Sequence, residues 1–143
     1  MTRFIELAPG FLVAPQISEA DVAEAARLGV TLIVNNRPDR EEPGQPAGAA
    51  IEKAARAAGV AYIAIPVTGA AAISDGDIAK FNAAIDEAEG PTLAFCRSGT
   101  RSTVLRALAE AARGADIDGL IHEAAEAGYN LAGLRGALAA RRP

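Results

Sequence analysis

The chain holds one cysteine among its 143 residues. Cys96 heads the run CRSGTR, which ends at Arg101. An apolar stretch at residues 92–95 leads into it and reads as a buried strand. A glycine turn follows, and a helical pattern (Val104, Leu105, Leu108, Ala109) begins near Arg101. A nucleophile between a strand end and a helix N-terminus faces free backbone N–H groups and the positive end of the helix dipole. Successive amides in such a turn form an anion-binding nest. With Arg97 and Arg101 adding positive charge, Cys96 is expected to lie where a thiolate is favoured and to act as the nucleophile. The backbone amides of residues 97–101, among them Arg97, Ser98, Gly99 and Thr100, would hold an anion, with Arg101 as the second catalytic group. Arg101 in a first helical turn opposes the dipole, a conflict that a bound anion removes. Ser102 and Thr103 either satisfy first-turn amides or place a hydroxyl near the sulfur. The alternative for Cys96 is a small buried apolar side chain. A core cysteine, however, needs no arginine on each side of a glycine turn.

Other candidates are weaker. The segment NNRPDREEPGQP, residues 35–46, carries Arg37, Asp39, Arg40, Glu41 and Glu42. It reads chiefly as a solvated loop, with Arg37 and Asp39 as candidates for substrate contact. His122 lies in a late helical pattern with Leu120 and Ile121. It reads as a surface or half-buried residue, with a Cys–His pair as the alternative.

Composition bounds the rest. A net charge of −4 argues against a general nucleic-acid or membrane-surface binder. One cysteine excludes an internal disulfide and a thiolate metal cluster, and one histidine argues against histidine-based metal ligation. No metal and no cofactor are expected. The N-terminal stretch has no apolar leader core, and no run reaches membrane-spanning length. A cytoplasmic enzyme or binding module is expected, with residues 1–143 forming one domain.

The elements that position Cys96 read as an alternation. Residues 3–7 and 10–14 predict two short strands around Pro9-Gly10. Ser18 and Asp21 predict a capping box opening a helix whose apolar face is Val22, Ala25, Ala26 and Leu28, closed by Gly29. Residues 31–34 predict a strand buried on both faces. Residues 49–58 predict a helix closed by Gly59, and residues 61–66 a second buried strand. Residues 67–73 form a loop of mostly small residues, and Ser74 caps a helix running to about Ala88. Asp116 and Asn130 are expected caps for two short C-terminal helices. The alternation predicts an α/β fold in three layers, a central mostly parallel sheet flanked by helices. Ligands bind such sheets at the carboxyl ends of the strands. The 35–46 loop, the 67–73 loop and the Cys96 turn are all expected there.

CRSGTR matches the Cys-Arg-x-Gly-x-Arg loop of rhodanese-type sulfurtransferases. The strand–helix order, NNRPD after the first buried strand, and AYIAIPV before the last helix–strand unit resemble small dual-specificity phosphatases. Together these resemble the phosphatase-like domain family of beta-lactamase-hydrolase-like proteins over nearly the whole chain. The resemblance implies a dual-specificity-phosphatase-like fold. Members are read as phosphatases, and some as sulfurtransferases working with a persulfide dioxygenase.

The departures bear on the reaction. A tyrosine-phosphatase-type loop is Cys-x5-Arg, usually with His before the Cys. Here Phe95 precedes Cys96 and the arginine comes one residue early, with Ser102 in the later place. Dual-specificity phosphatases commonly carry an Asp general acid after the strand matching AYIAIPV. This chain has Thr68-Gly69-Ala70-Ala71-Ala72, with no carboxylate before Asp75. Losing a proton donor costs alkyl ester cleavage roughly 10²–10⁴-fold, whereas sulfite or a thiolate leaves as a stable anion. The leading expectation is therefore a sulfurtransferase, forming a Cys96 persulfide from thiosulfate or a low-molecular-weight persulfide. The first alternative is a phosphatase forming a Cys96 phosphoenzyme, with Asp39 or Asp75 as a displaced acid. The second is an inactive anion-binding module. Both enzyme readings take a small anionic sulfur or phosphate substrate, and the inactive module would recognise phosphate or a partner.

Overall fold

The computed structural model describes residues 3–143. Five strands form one sheet: β1 (Ile5–Ala8), β2 (Phe11–Ala14), β3 (Leu32–Asn35), β4 (Ala61–Ala64) and β5 (Thr92–Phe95). Their order is β1-β2-β5-β3-β4. The β1–β2 pair is the antiparallel hairpin expected around Pro9-Gly10, and every other pairing is parallel. Parallel neighbours need helical crossovers, which gives the helix layers. β5 lies between β2 and β3, so the residue after it emerges at the middle of the sheet's carboxyl edge. That residue is Cys96.

Two helices cover one face: α1 (Glu19–Arg27) and α2 (Gly48–Ala57). The other face carries α3 (Asp75–Glu87), α4 (Thr100–Ala112), α5 (Ile117–Glu126) and α6 (Arg135–Arg141). Strand side chains alternate between the two cores. Ile33, Leu93 and Phe95 meet Val22, Ala25, Ile51 and Ala55 of α1 and α2. Leu32, Val34 and Ala94 meet Ile78, Phe81, Leu105 and Leu108 of α3 and α4. The expected three-layer α/β architecture is the one observed.

The local signals hold with a few corrections. Capping boxes form at Ser18/Asp21 and at Ser74/Asp77, and Asp116 accepts the Gly119 amide at the start of α5. Asn130 accepts from the Ala132 amide, and a 3₁₀ turn at Ala132–Leu134 leads into α6. Leu28 does not join the apolar face of α1 but is 50 % exposed, because it follows the last helical turn. β4 is not buried on both faces: as the last strand in the order it is an edge, and its residues are exposed or half-buried. The buried residues of that segment are Ile65 and Val67, past the strand's end. The 67–73 loop contains a 3₁₀ turn at Ala70–Ala72. No helix among the described residues is long and apolar enough to cross a membrane.

Candidate active site

Cys96 is fully buried where β5 ends and the loop to α4 begins. The Gly99 N–H donates to its sulfur at 3.1 Å. Gly99 stands at φ 94°, the left-handed region that admits glycine at little cost. That turn aims the Gly99 amide back at Sγ and starts α4 at Thr100. Thr103 donates to the Gly99 carbonyl at 2.8 Å, so its hydroxyl holds the first turn. Ser98 and Thr100 are exposed and share a hydroxyl–hydroxyl bond of 3.0 Å.

Arg101 is the meeting point of the carboxyl edge. Its Nη1 donates to Glu41 Oε2 at 2.6 Å and to the Val67 carbonyl at 2.7 Å, and its Nη2 donates to Glu41 Oε1 at 2.8 Å. The 35–46 loop, the 67–73 loop and the Cys96 loop thus converge on one guanidinium, as strand ends in an open sheet should. These bonds leave Nε–H and the second Nη2 hydrogen of Arg101 for the Cys96 side. The Arg101 pKa is raised first by its hydrogen bonds to Glu41, against burial, with the negative charge of a Cys96 thiolate adding to the rise. The same contact holds Glu41 down at about 2, with Arg37 contributing. Glu41 is therefore a carboxylate at any physiological pH and cannot serve as a proton donor.

Arg37 corrects the reading of residues 35–46 as merely solvated. Its side chain is 1 % exposed. It donates to Glu41 at 2.9 Å, to Glu42 at 3.0 Å and to Gln16 at 3.0 Å. Burial pushes its pKa down, but the two carboxylates outweigh burial and the net shift is upward. Arg37 lies behind Glu41, linked to Arg101 through the carboxylate they share. Asp39 lies elsewhere: its Oδ1 accepts the Gly48 amide at 2.8 Å at the start of α2. There it lines a cavity of about 200 Å³ with Asn35, Glu52 and Tyr62. Arg97 is 68 % exposed, its nearest carboxylate Glu42 at 3.6 Å.

Asn36 ties the strand ends together. Its N–H donates to the Phe95 carbonyl at 2.8 Å and its side-chain amide to the Ile65 carbonyl at 2.9 Å. Its Oδ1 accepts from the buried Ser102 hydroxyl at 2.8 Å. Ser102 thus joins α4 to the end of β3, and its proton points at Asn36. His122 is 76 % exposed on α5 and faces Glu126 at 3.6 Å. Asp75 is 95 % exposed and paired with Arg141. Sequence reasoning did not single out Glu41, Asn36 or Tyr129, whose hydroxyl donates to the Ser98 carbonyl at 3.1 Å. Glu41 had a faint signal, four residues after Arg37 and alternating in sign with it. Tyr129 had none.

The five-stranded, mostly parallel sheet with helices on both faces and a buried cysteine at its central carboxyl edge is a dual-specificity-phosphatase-like fold. Residues 3–113 match the phosphatase-like domain of beta-lactamase hydrolase-like proteins, and the chain belongs to that family. It is 41 % identical over 108 residues to a beta-lactamase hydrolase-like protein of Xylella fastidiosa, and 44 % identical over 102 residues to one of Agrobacterium fabrum. Those matches take in 76 % and 71 % of this chain but only 25 % and 23 % of the relatives, so the chain spans about a quarter of their length. A candidate phosphatase of Neisseria meningitidis has the same fold at 39 % identity and TM-score 0.84, covering 96 % of this chain and 97 % of that one. Tk-PTP shares the fold at TM-score 0.71 and 19 % identity, covering 94 % and 92 %. These likenesses support the phosphatase alternative better than the sulfur-transfer reading that the loop motif led to.

Proposed function

We propose that this chain is a cysteine-dependent, phosphatase-like hydrolase in which Cys96 takes the phosphoryl group of a small anionic ester. The observation that carries the reading is the juxtaposition of Cys96, the Gly99 amide and Arg101 at the sheet's carboxyl edge. The Cys96 thiolate would attack phosphorus, the ester oxygen would leave with its bonding pair, and water would then hydrolyse the phosphocysteine. Arg101 and the loop amides would stabilise charge on the transferring group. Arg97, Ser98 and Thr100, exposed at the loop's outer side, would meet the remainder of the substrate. The shared sheet and its two helix layers support reading the chain as one functional domain.

The acid chemistry narrows the substrate. Glu41 is locked as an anion, Asp39 is engaged at α2, and Asp75 is paired with Arg141. Leaving groups that depart as stable anions are therefore favoured, aryl over alkyl phosphates. The same observation favours a second reading, transfer of sulfane sulfur. There the Cys96 thiolate attacks the outer sulfur of thiosulfate, the S–S bond breaks, sulfite leaves with the electron pair, and Cys96 carries a persulfide for an acceptor thiol. A persulfide dioxygenase is the partner class that this second reading implies. One experiment separates the two: assay aryl phosphate, alkyl phosphate, thiosulfate and glutathione persulfide side by side, with Cys96→Ser as control. Cys96-dependent aryl phosphate hydrolysis without sulfur transfer supports the hydrolase. Sulfur transfer exceeding aryl phosphate hydrolysis supports the second reading, and brisk alkyl phosphate hydrolysis would overturn the account of the missing acid.

A further inference from the structure

Tyr129 lies beyond residue 113, where the family match ends, yet its side chain reaches the Cys96 loop. It follows α5, and its hydroxyl donates to the Ser98 carbonyl at 3.1 Å. That carbonyl belongs to the same peptide unit as the Gly99 N–H, which donates to Cys96 Sγ at 3.1 Å. A peptide unit is planar, with C=O and N–H pointing in opposite directions. Fixing its oxygen on one side therefore aims its hydrogen on the other. The fit is close: a Cβ added to Gly99 would meet the Tyr129 oxygen at 2.2 Å. The preceding carbonyl, of Arg97, is held in the same way by the Gln16 amide at 3.3 Å. Loop carbonyls are thus drawn outward by the frame while the Gly99 amide faces inward.

The tyrosine remains a donor. Burial raises its pKa, and the negative charge of a Cys96 thiolate raises it further, with Arg3 opposing. Without that donor the Ser98–Gly99 peptide loses its outer anchor and is held by the Gly99 N–H bond to Sγ, and a glycine at positive φ tolerates alternatives. Rotation would turn the Ser98 oxygen toward the sulfur, where it repels a thiolate or a bound anion.

We propose that Tyr129 is a positioning residue of the Cys96 loop, its hydroxyl orienting the Ser98–Gly99 peptide so that the Gly99 N–H faces the sulfur. Its effect on turnover rests on the reading of Cys96 as nucleophile. The test is Tyr129→Phe, which keeps the ring over Gly99 and removes only the oxygen. The readouts are the Gly99 amide resonance, its hydrogen-exchange rate, and kcat and KM on an aryl phosphate. The Gly99 amide should shift and exchange roughly two- to tenfold faster, the range one neutral hydrogen bond supplies. The kcat should fall by a similar factor with KM little changed. A merely structural role would loosen α5 and α6 without singling out Gly99. An unmoved Gly99 amide would overturn the proposal, as would a moved one with unchanged kcat in a protein whose turnover is lost in Cys96→Ser. A Cys96→Ser protein that kept full turnover would overturn the nucleophile reading alone, and the Gly99 amide would still decide what Tyr129 does.

Discussion

The Cys96 loop has an inner wall and an outer rim, and its two arginines show how they differ. Arg101 is 16 % exposed and donates to both oxygens of Glu41 and to the Val67 carbonyl. Arg97, in the same six-residue motif, is 68 % exposed and pairs loosely with Glu42 at 3.6 Å. Residue type and motif are shared; fixed partners are not. An arginine locked by a carboxylate that is itself locked by a second arginine presents its charge in one place, with little rotamer freedom left to lose. A loosely paired one must be ordered by the ligand it binds. The wall is therefore expected to carry the chemistry, and the rim to tune access.

The largest break in that contrast should come from Arg101→Ala. Charge-assisted contacts are worth about 1.5–3 kcal/mol, so kcat/KM on an aryl phosphate or a sulfur donor should fall roughly ten- to a hundredfold with the fold intact by circular dichroism. A loss no larger than that of Arg97→Ala would dissolve the distinction between wall and rim. Behind the wall, Arg37→Met removes a buried guanidinium from two carboxylates and Gln16. Denaturant unfolding should show a loss of about 1–3 kcal/mol, and an unchanged midpoint would mean that the 35–46 loop is anchored by something else.

Glu41→Gln sharpens the comparison without removing either arginine. Turnover should drop about three- to tenfold as Arg101 loses its charged partner. The pH dependence has a definite sign. Glu41 is depressed in the folded protein to about 2, below the ordinary carboxylate range, so its contribution to stability is present above about pH 4.5. That contribution is lost as pH falls toward 2, and solvent screening limits its size. The stability gap between the native chain and Glu41→Gln should narrow over that window and be flat above it. A gap that widens on acidification would contradict the Arg101–Glu41 account. The smallest effect is expected for Arg97→Ala, less than about threefold in kcat/KM, consistent with an exposed and loosely paired charge.

The sequence made the frame legible because its signals are local. The capping box at Ser18, the cap at Ser74, glycines after α1 and α2, and the strand–turn–helix around Cys96 each follow from a few adjacent residues. The convergence at the carboxyl edge followed from topology, and Arg101 joins all three predicted features. What was not legible depends on how a loop closes on itself or on partners distant in sequence. Arg37 reads as solvated until Glu41, Glu42 and Gln16 close around it. The apolar run that contains β4 reads as buried, whereas strand order makes that strand an edge. Tyr129 lies thirty-one residues from the Ser98 carbonyl it caps, and nothing around AGYN announces the contact. Reaction class was least legible. The loop motif resembles that of sulfurtransferases, whereas the family is a phosphatase-like one.

In the proposed chemistry the transferred group rides on Cys96 Sγ. The direct test is rapid quenching of the protein during turnover of an aryl phosphate, and separately of thiosulfate, followed by peptide mass spectrometry. The account predicts a phosphoryl group or an added sulfur on the peptide containing Cys96, formed and lost at rates compatible with turnover and absent from Cys96→Ser. Sustained turnover with that peptide unmodified at every quench time, and retained in Cys96→Ser, would contradict it.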